Sequence, residues 1–436
     1  MKKIIFLLFI TFVLGSCQQK VEEQMTKLQI TGFVENSNLQ KAGAKVDDFL
    51  LTYDGNNIES VHELGEFRDQ ARTDEIEITI LRNNKKIKLQ IPNGYLGVYL
   101  KEIVPEHKIE KDAVIIDGIG KLGWDMGMGN TFFGALFRID EKFGQKTDYN
   151  TMMGISGYAF RTSVYEKSLC PSAPDATCGY DTGHEILAKL GYEFDVYHLE
   201  QPDYEECRYT FKTQAEMTGI IKNSIDDGYP VIALHLIQTP EWGIITGYQN
   251  DDFFCRTFFD KTEEYEIAQK FPWVICVVKN KKEVDISNEF AKSLQTAKEL
   301  YATEKYFEYF NGLNATKKWI AYLEEEESFT QMNEEKFFDA LLANWWMHAS
   351  LEMAREEGAK YLKSNLDKFG VDKTIIEQIA EIYEKEVTLL KSGYDDVSYP
   401  HSAELKWTTA MRQAQIGMLK KFYELEQTVA TLLENF

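Results

Sequence analysis

Short runs of alternating apolar and polar residues, separated by turn residues, characterise the chain from residue 28 to residue 103. A period of two is typical of strands that bury one face. Asp54-Gly55 and Asn83-Asn84 each separate two such runs, and pairs of this kind favour tight hairpin turns. The pattern predicts strands at 28–34, 49–53, 75–82 and 85–91, a short helix at 39–42 closed by Gly43, and an amphipathic segment at 61–71.

Between residues 113 and 280 the pattern changes to an early helix followed by several apolar runs of strand length. Helices are predicted at 131–143, 183–190 and 215–226. An early helix followed by consecutive strands favours an α+β, papain-like layout. Strands are predicted at 113–116, 193–199, 231–237, 243–248, 253–258 and 273–278.

From residue 284 to residue 436 apolar residues recur at helical spacing, and Pro and Gly are few. This pattern predicts an all-α bundle of about six helices. Aromatic segments such as "ALLANWWMHASLEMAREEG" (340–358) are interpreted as core. The whole chain of 436 residues is therefore predicted to be multidomain, in line with about 100–200 residues per domain. The boundaries are 28–103, 113–280 and 284–436, preceded by a linker at 17–27.

Composition agrees with a folded protein and excludes one class of partner. Hydrophobic residues make up 44% of the chain, so packed cores are expected rather than global disorder. The formal net charge is −22, and the excess acidic residues are spread along the sequence. Binding to a phosphate backbone requires a cationic surface. Nucleic acid is therefore not an expected partner.

The first residues have the pattern of an export signal. Lys2 and Lys3 precede an apolar run that ends in "LGSC" at Cys17. The run is too short for an ordinary membrane span. Its ending resembles a bacterial lipobox, which implies removal of residues 1–16 and diacylation of Cys17. Gln18 rather than Asp follows this cysteine, so export to the outer membrane is expected, with a periplasmic or surface-facing location.

The first domain resembles a PDZ domain, because Ala42-Gly43, Asp48 and Leu50 match an AG-x-x-x-x-D-x-I signature followed by a hairpin. Too few residues precede this signature to supply a carboxylate-binding loop as well as a strand. "NGYLGVYLKEI" (93–103) supplies both at the other end, which is the circularly permuted order seen in many bacterial PDZ domains. The resemblance implies a β-sandwich with helices, in which a peptide C-terminus binds the loop made by Tyr95, Leu96, Gly97 and Val98.

The rest of the chain resembles the butirosin-biosynthesis-H-type domain, a relative of bacteriocin-processing, C39-like peptidases. The matching segments are "DYNTMMGISGYAFR" (148–161), 170–194 and "YPVIALHLIQTPEWGIITGYQND" (229–251), together with the helical region that follows. The resemblance implies a Cys nucleophile at the start of the early helix, where the helix dipole lowers a thiol pKa. It also implies a His base before the strand at 243–248.

Both catalytic positions are occupied by other residue types. The early helix starts near Asn130, where the nucleophile is expected, and no cysteine lies between Cys17 and Cys170. Glu241 and Trp242 occupy the histidine position, and Asp260 is the only orienting residue left. An amide is no useful nucleophile, and without imidazole the site has no base near neutral pH. These residues, with Trp124, are interpreted as a vestigial cleft that can hold a small ligand.

A second arrangement keeps the chemistry in the domain. Cys170 or Cys178 would be the nucleophile and His184 the base of an amidase, peptidase or acyltransferase. Against it, Thr182 and Glu185 have the spacing of a capping box, which makes His184 part of an ordinary helix start. Cys170 and Cys178 bracket "CPSAPDATC" (170–178) and are also the predicted disulfide in an exported chain.

The predicted function is a membrane-anchored, peptide-binding lipoprotein whose peptidase-like domain is catalytically inactive. Its expected partners are a peptide or protein C-terminus and a membrane, through the lipid on Cys17. A small ligand in the vestigial cleft is a further expected partner. The sequence points to no cofactor, and "HEILA" (184–188) lacks the second His of a zinc pair. The Cys-dependent enzyme remains the alternative.

Overall fold

The chain forms two compact units, Met1–Ile109 and Glu110–Phe436. The predicted signal segment, Cys17, Tyr95 and Cys207 lie outside the residues that the structure describes. The structure is a computed structural model that describes residues 27–34, 37–58, 64, 67–68, 73, 75–93, 96–103, 112–144, 147–200, 208–237, 239–260, 262–399 and 406–435.

A six-stranded antiparallel sheet with strand order β5-β4-β2-β1-β6 forms the described part of the smaller unit, and β3 pairs with β2. Leu28, Leu50 and Ile78 are among the buried residues on its core face. Its elements are β1 (Lys27–Phe33), α1 (Asn38–Lys41), β2 (Phe49–Tyr53), β3 (Asn56–Asn57), β4 (Glu75–Arg82), β5 (Lys85–Pro92) and β6 (Val98–Ile103).

Turn chemistry explains the register of these strands. Both residues of Asp54-Gly55 and of Asn83-Asn84 have positive φ, between 48° and 82°. Two successive positive φ values are what a type I′ hairpin turn requires, and Asn, Asp and Gly adopt them most readily. The two predicted hairpins are therefore confirmed, and the predicted strands agree with the observed bounds to within one residue.

The larger unit contains an eight-stranded sheet with strand order β10-β9-β15-β11-β12-β13-β14, and β7 pairs with β12. Among the described strands of this sheet, only β10 and β9 pair in parallel. The strands of this unit are β7 (Val114–Ile115), β8 (Ser163–Tyr165), β9 (Tyr192–Leu199), β10 (Phe211–Lys212), β11 (Val231–Leu234), β12 (Trp242–Gln249), β13 (Asp252–Arg256), β14 (Glu266–Ile267), β15 (Val274–Lys281), β16 (Lys305–Tyr306) and β17 (Tyr309–Asn311).

Helices of the larger unit precede the sheet, cover it and make up most of the chain after it. Phe132 from α2, Ile232 from β11 and Tyr361 from α9 belong to one buried cluster, so sheet and C-terminal helices share a core. These helices are α2 (Thr131–Lys142), α3 (Tyr149–Ile155), α4 (Thr182–Lys189), α5 (Gln214–Asp226), α6 (Glu289–Ala302), α7 (Gly312–Glu324), α8 (Glu326–Thr330), α9 (Glu334–Ser364), α10 (Lys373–Lys391), α11 (Tyr394–Val397) and α12 (Thr409–Leu433).

The region after residue 284 is not purely helical, in contrast to the predicted all-α bundle. The short strands β16 and β17 form a three-stranded sheet with β8, in which Phe310 pairs with Val164. Strands of two or three residues have no detectable periodicity, and their partner lies far earlier in the sequence. Local pattern therefore could not predict them.

Candidate functional sites

A tight turn precedes the edge strand of the smaller unit. Gly97 has φ +73°, and a Cβ built there would lie 2.8 Å from the Cα of Ser37 and 3.0 Å from the Cγ2 of Val34. Left-handed backbone and close approach together require glycine at this position. The turn is therefore packed tightly against Val34 and Ser37.

Hydrogen bonds fix the orientation of this turn. The Leu96 carbonyl accepts the N–H of Leu39 at 3.2 Å and the hydroxyl of Ser37 at 3.0 Å, and the Gly97 carbonyl accepts the N–H of Val34 at 3.0 Å. Among the described residues, the N–H groups of Leu96 and Gly97 have no acceptor. The turn thus holds two adjacent N–H donors without an internal partner, which is the arrangement that binds a carboxylate.

Strand β6, which follows the turn, lies at the end of the sheet. It pairs with β1 on one side, and within the described part of the chain its other side is unpaired. The Tyr99 carbonyl faces β1, because it accepts the Thr31 hydroxyl at 3.1 Å. Backbone groups alternate in direction along a strand, so the N–H and C=O groups of Val98 and Leu100 face the open edge.

A buried ion pair supports the neighbouring hairpin. The fully buried Asp48 carboxylate accepts two bonds of 2.6 Å from the Arg82 guanidinium and one of 2.7 Å from the N–H of Lys45. Arg82 also donates to the carbonyl of Gly43 at 2.8 Å. Burial raises the pKa of Asp48, but the bonds from Arg82 and Lys45 outweigh it and hold the pKa below the usual range.

In the larger unit, Asn130 caps helix α2. Its side-chain oxygen accepts the N–H of Phe133 at 3.2 Å, and its own N–H donates to the Tyr149 hydroxyl at 2.9 Å. A cap side chain that accepts the backbone N–H three residues later satisfies one of the free donors at a helix start. Asn130, predicted at the nucleophile position, therefore has a structural role.

The side chain that meets Glu241 belongs to the next residue, Thr131. The Thr131 hydroxyl donates to Glu241 Oε2 at 2.9 Å and accepts the N–H of Trp242 at 3.3 Å. Burial raises the pKa of the Glu241 carboxyl to about 7, Thr131 lowers it, and the nearby Asp175 carboxylate raises it. Thr131 was not among the predicted site residues, because its partner Glu241 lies 110 residues away in the sequence and local pattern gives no signal of such a contact.

Trp242 is a structural anchor rather than an open wall. The indole N–H donates to Asp175 Oδ2 at 2.7 Å, and the ring packs edge-on against Phe132 at 5.0 Å between centroids. Only 2% of its surface is exposed. Asp175 also accepts the hydroxyl of Thr177 at 2.7 Å. Trp242 thus ties the loop at 170–178 to the start of β12.

Asp260 belongs to a different cluster. Its carboxylate accepts the N–H of Thr257 at 2.8 Å and that of Leu122 at 3.3 Å, and it lies 3.4 Å from Arg256. Burial raises the pKa of Asp260 to about 6, although these donors lower it. No hydrogen bond joins Asp260 to Glu241 among the described residues. The predicted orienting residue therefore does not orient a base.

The predicted cleft is likewise divided. Trp124 packs on Phe258 at 4.9 Å and on Trp346 at 5.4 Å between ring centroids, whereas Trp242 packs on Phe132. The described residues contain a small cavity of about 20 Å³ elsewhere, with Tyr158, Arg161, Ser163, Trp319 and Ser350 among its lining residues. This volume has room for about one water molecule.

Two of the alternative catalytic residues, Cys178 and His184, interact with other side chains. The Cys178 thiol interacts with the Tyr309 hydroxyl, and burial, with a contribution from Asp175, raises the pKa of Cys178 to about 12. His184 Nδ1 lies 2.5 Å from Asp181. No hydrogen bond joins Cys178 to His184 within the described ranges. A thiol with this pKa is a poor nucleophile near neutral pH.

Two local predictions about this loop differ from the structure. Cys170 and Cys178 are free thiols here, without the predicted disulfide. Helix α4 is capped by Asp181, whose carboxylate accepts the N–H of His184 at 2.9 Å, and not by Thr182. The Thr182 hydroxyl instead donates to the carbonyl of Ala176 at 2.9 Å, which leaves the capping position to the preceding acidic residue.

Comparison with known proteins adds no assignment. No family model matches the chain, and the search of curated proteins gave no match. Within the described ranges no helix is long and apolar enough to cross a membrane. The same residues hold no group of three or more His, Cys, Asp or Glu side chains suited to a metal ion.

Proposed function

We propose that this protein binds the free C-terminus of a peptide or protein at the turn Leu96–Gly97 and along the open edge of β6. One combination carries the proposal: within the described residues, two N–H donors without an acceptor directly precede an edge strand that is unpaired on one side. The donors suit a terminal carboxylate, and the edge suits an extended peptide that adds a strand to the sheet. The resemblance to circularly permuted PDZ domains supports the same site.

Fluorescence polarisation on the purified full-length protein tests this function. A labelled peptide with a free C-terminus is compared with the same peptide as its C-terminal amide, which lacks the charge. Loss of charge-assisted hydrogen bonds worth about 1.5–3 kcal/mol predicts at least about tenfold weaker binding for the amide. Equal affinity for acid and amide, or binding of neither across a C-terminal peptide library, contradicts the proposal.

Gly97→Ala distinguishes the turn from the rest of the sheet. The new Cβ overlaps Ser37 and strains the backbone, so the two donors shift and binding of the acid falls to the level of the amide. Gly55→Ala is the matched control, because Gly55 also has positive φ (+82°) but has no atom within 4 Å of an added Cβ. Gly55→Ala should weaken the unit by about 1 kcal/mol and leave binding intact.

The larger unit, in this proposal, is not a cysteine-dependent enzyme. The support is that neither Asn130 nor Thr131 at the start of α2 is a cysteine, that Glu241 and Trp242 occupy the expected histidine position, and that burial holds the pKa of Cys178 far above neutral pH. Mass spectrometry after brief treatment with iodoacetamide tests it. Cys178 should label slowly, at a rate that His184→Ala leaves unchanged. Fast labelling of either Cys170 or Cys178 that depends on His184 contradicts this part.

The anchor is proposed to be a lipid on Cys17 in an exported bacterial lipoprotein, on the outer membrane. The support is the "LGSC" ending of an apolar run after two lysines. Labelling of expressing cells with a clickable fatty acid should tag the wild-type protein, and Cys17→Ala should remove the tag and release the protein from the membrane fraction. Equal tagging of both proteins contradicts this assignment.

A further inference from the structure

Side chains of β6 alternate between two environments. Val98 and Leu100 are half-buried and pack against the core of the smaller unit. Tyr99 and Lys101 point to the other face, where Tyr99 is 60% exposed and Lys101 is also exposed. This alternation is what a half-buried edge strand shows. A peptide added to this edge therefore meets an apolar face, with Val98 and Leu100, and a solvent-exposed face, with Tyr99 and Lys101.

This inference rests on the proposed function. Once the carboxylate is placed, β-pairing determines which residue of β6 each peptide residue faces. With the terminal carboxylate at the N–H groups of Leu96 and Gly97, the last peptide residue forms a hydrogen-bonded pair with Val98. The peptide runs antiparallel to β6. Counting back from that last residue, the next residues face Tyr99, Leu100 and Lys101 in turn.

The pair at Lys101 is a non-hydrogen-bonded one, because the backbone groups of Lys101 point toward β1. In such pairs the Cα atoms lie about 4.5 Å apart and the side chains approach most closely. We propose that Lys101 selects peptides with an acidic residue three positions before the C-terminal residue.

The Lys101 side chain has no charged residue directly across from it on β1. The cross-strand neighbour of Lys101 on β1 is the uncharged Gln29, whose amide donates to Asp47 at 3.1 Å. Lys101 forms no ion pair with any described residue, so its charge is available to a ligand. Opposite charges directly across a strand pair improve affinity about 1.4- to 5-fold relative to alanine, and like charges reduce it by a similar factor.

Six peptides test the inference on the full-length protein. They share one sequence that ends in valine and differ only three positions earlier, where they carry Glu, Ala or Lys, each as a free acid and as an amide. Wild-type protein should bind the free acids in the order Glu, Ala, Lys. Lys101→Glu should invert this order, while its affinity for the alanine peptide should stay within about 2-fold of the wild-type affinity. The preference should shrink in 0.5 M salt, since exposed charges are screened.

The outcomes separate the inference from the function on which it rests. If binding requires the free C-terminal acid, follows the expected order and is inverted by Lys101→Glu, the result supports both the inference and the proposed function. Binding that requires the free acid but has the same affinity for all three peptides overturns the selection by Lys101. An order of affinities that Lys101→Glu leaves unchanged does the same. Both results leave C-terminus binding intact. Equal affinity for acids and amides overturns the proposed function itself. Gly55→Ala serves as the folding control and should retain the wild-type order.

Discussion

A buried charge cluster joins three helices in the larger unit. Arg355 of α9 lies 3.1 Å from Glu386 of α10 and 3.0 Å from Glu426 of α12, and all three side chains are fully buried. The Tyr301 hydroxyl donates to Glu426 at 2.6 Å, and Tyr383 lies close to the guanidinium. Two carboxylates and one guanidinium leave one excess negative charge unless a carboxyl keeps its proton.

Glu386 is the group that keeps the proton. Burial raises its pKa well above the usual value of 4.5, and the Glu426 carboxylate raises it further, while Arg355 lowers it. The folded state therefore holds a proton that the unfolded chain loses above pH 4.5. Stability from this group is complete below that pH and falls by about 1.4 kcal/mol per pH unit above it, until the folded pKa is reached.

Glu386→Gln removes this dependence, because the amide has the shape of the protonated acid and does not titrate. The free energy of unfolding of the variant minus that of the wild type should rise with pH between 5.5 and 7.5, by at most about 1.4 kcal/mol per pH unit, for as long as the pH stays below the folded pKa of Glu386. Glu384→Gln is the control: this exposed carboxylate pairs with Lys363 on the surface, and surface pairs contribute about 0–1 kcal/mol. The difference in unfolding free energy between Glu384→Gln and the wild type should stay nearly constant over the same pH range.

Urea unfolding followed by tryptophan fluorescence measures these differences. Every tryptophan of the sequence lies between residues 110 and 436, so the signal reports the larger unit alone. A pH-independent difference between Glu386→Gln and wild type, or one that falls as the pH rises, refutes the assignment of the proton to Glu386.

Three further predictions concern the other sites. Trp242→Phe should lower the unfolding free energy of the larger unit by about 1.5–3 kcal/mol in urea, because the bond to the Asp175 carboxylate is lost; an unchanged midpoint contradicts the anchor role. Glu241→Gln should gain stability relative to wild type as the pH rises from 4.5 to about 7, since burial raises the folded pKa; a flat difference in the same assay contradicts the raised pKa. Asp48→Asn should lower the unfolding free energy of the smaller unit by about 1–3 kcal/mol at pH 7. This difference in stability should disappear as the pH falls below 3.8, because the bonds from Arg82 depress the folded pKa of Asp48. Hydrogen exchange of residues 75–103 measures the difference, and equal protection of variant and wild type at pH 7 counts against the ion pair.

Local chemistry made much of the fold predictable. Strand bounds in the smaller unit followed from alternation and from turns such as Asn83-Asn84, whose positive φ values are encoded by residue type. Helix α2 was predicted with its correct first residue, Thr131. The contact between Thr131 and Glu241 was nevertheless not predicted, because it joins residues that lie 110 positions apart.

Contacts between distant segments could not be predicted from local pattern. Arg355 and Glu426 are separated by 71 residues, and a lone Arg or Glu in an apolar helical run gives no signal of its partner. The same holds for Asp175, which was assigned to a disulfide loop and instead binds the indole of Trp242. Such pairings depend on how complete elements pack.

The amide resonances of Leu96 and Gly97 report directly on binding of a C-terminal carboxylate at these two residues. Full-length protein labelled with ¹⁵N at leucine and glycine is titrated with the valine-terminated peptide as acid and as amide. We expect large downfield shifts of both resonances with the acid, since a charged acceptor shortens the hydrogen bonds, and small shifts with the amide. Unchanged Leu96 and Gly97 resonances at saturating acid peptide would contradict it.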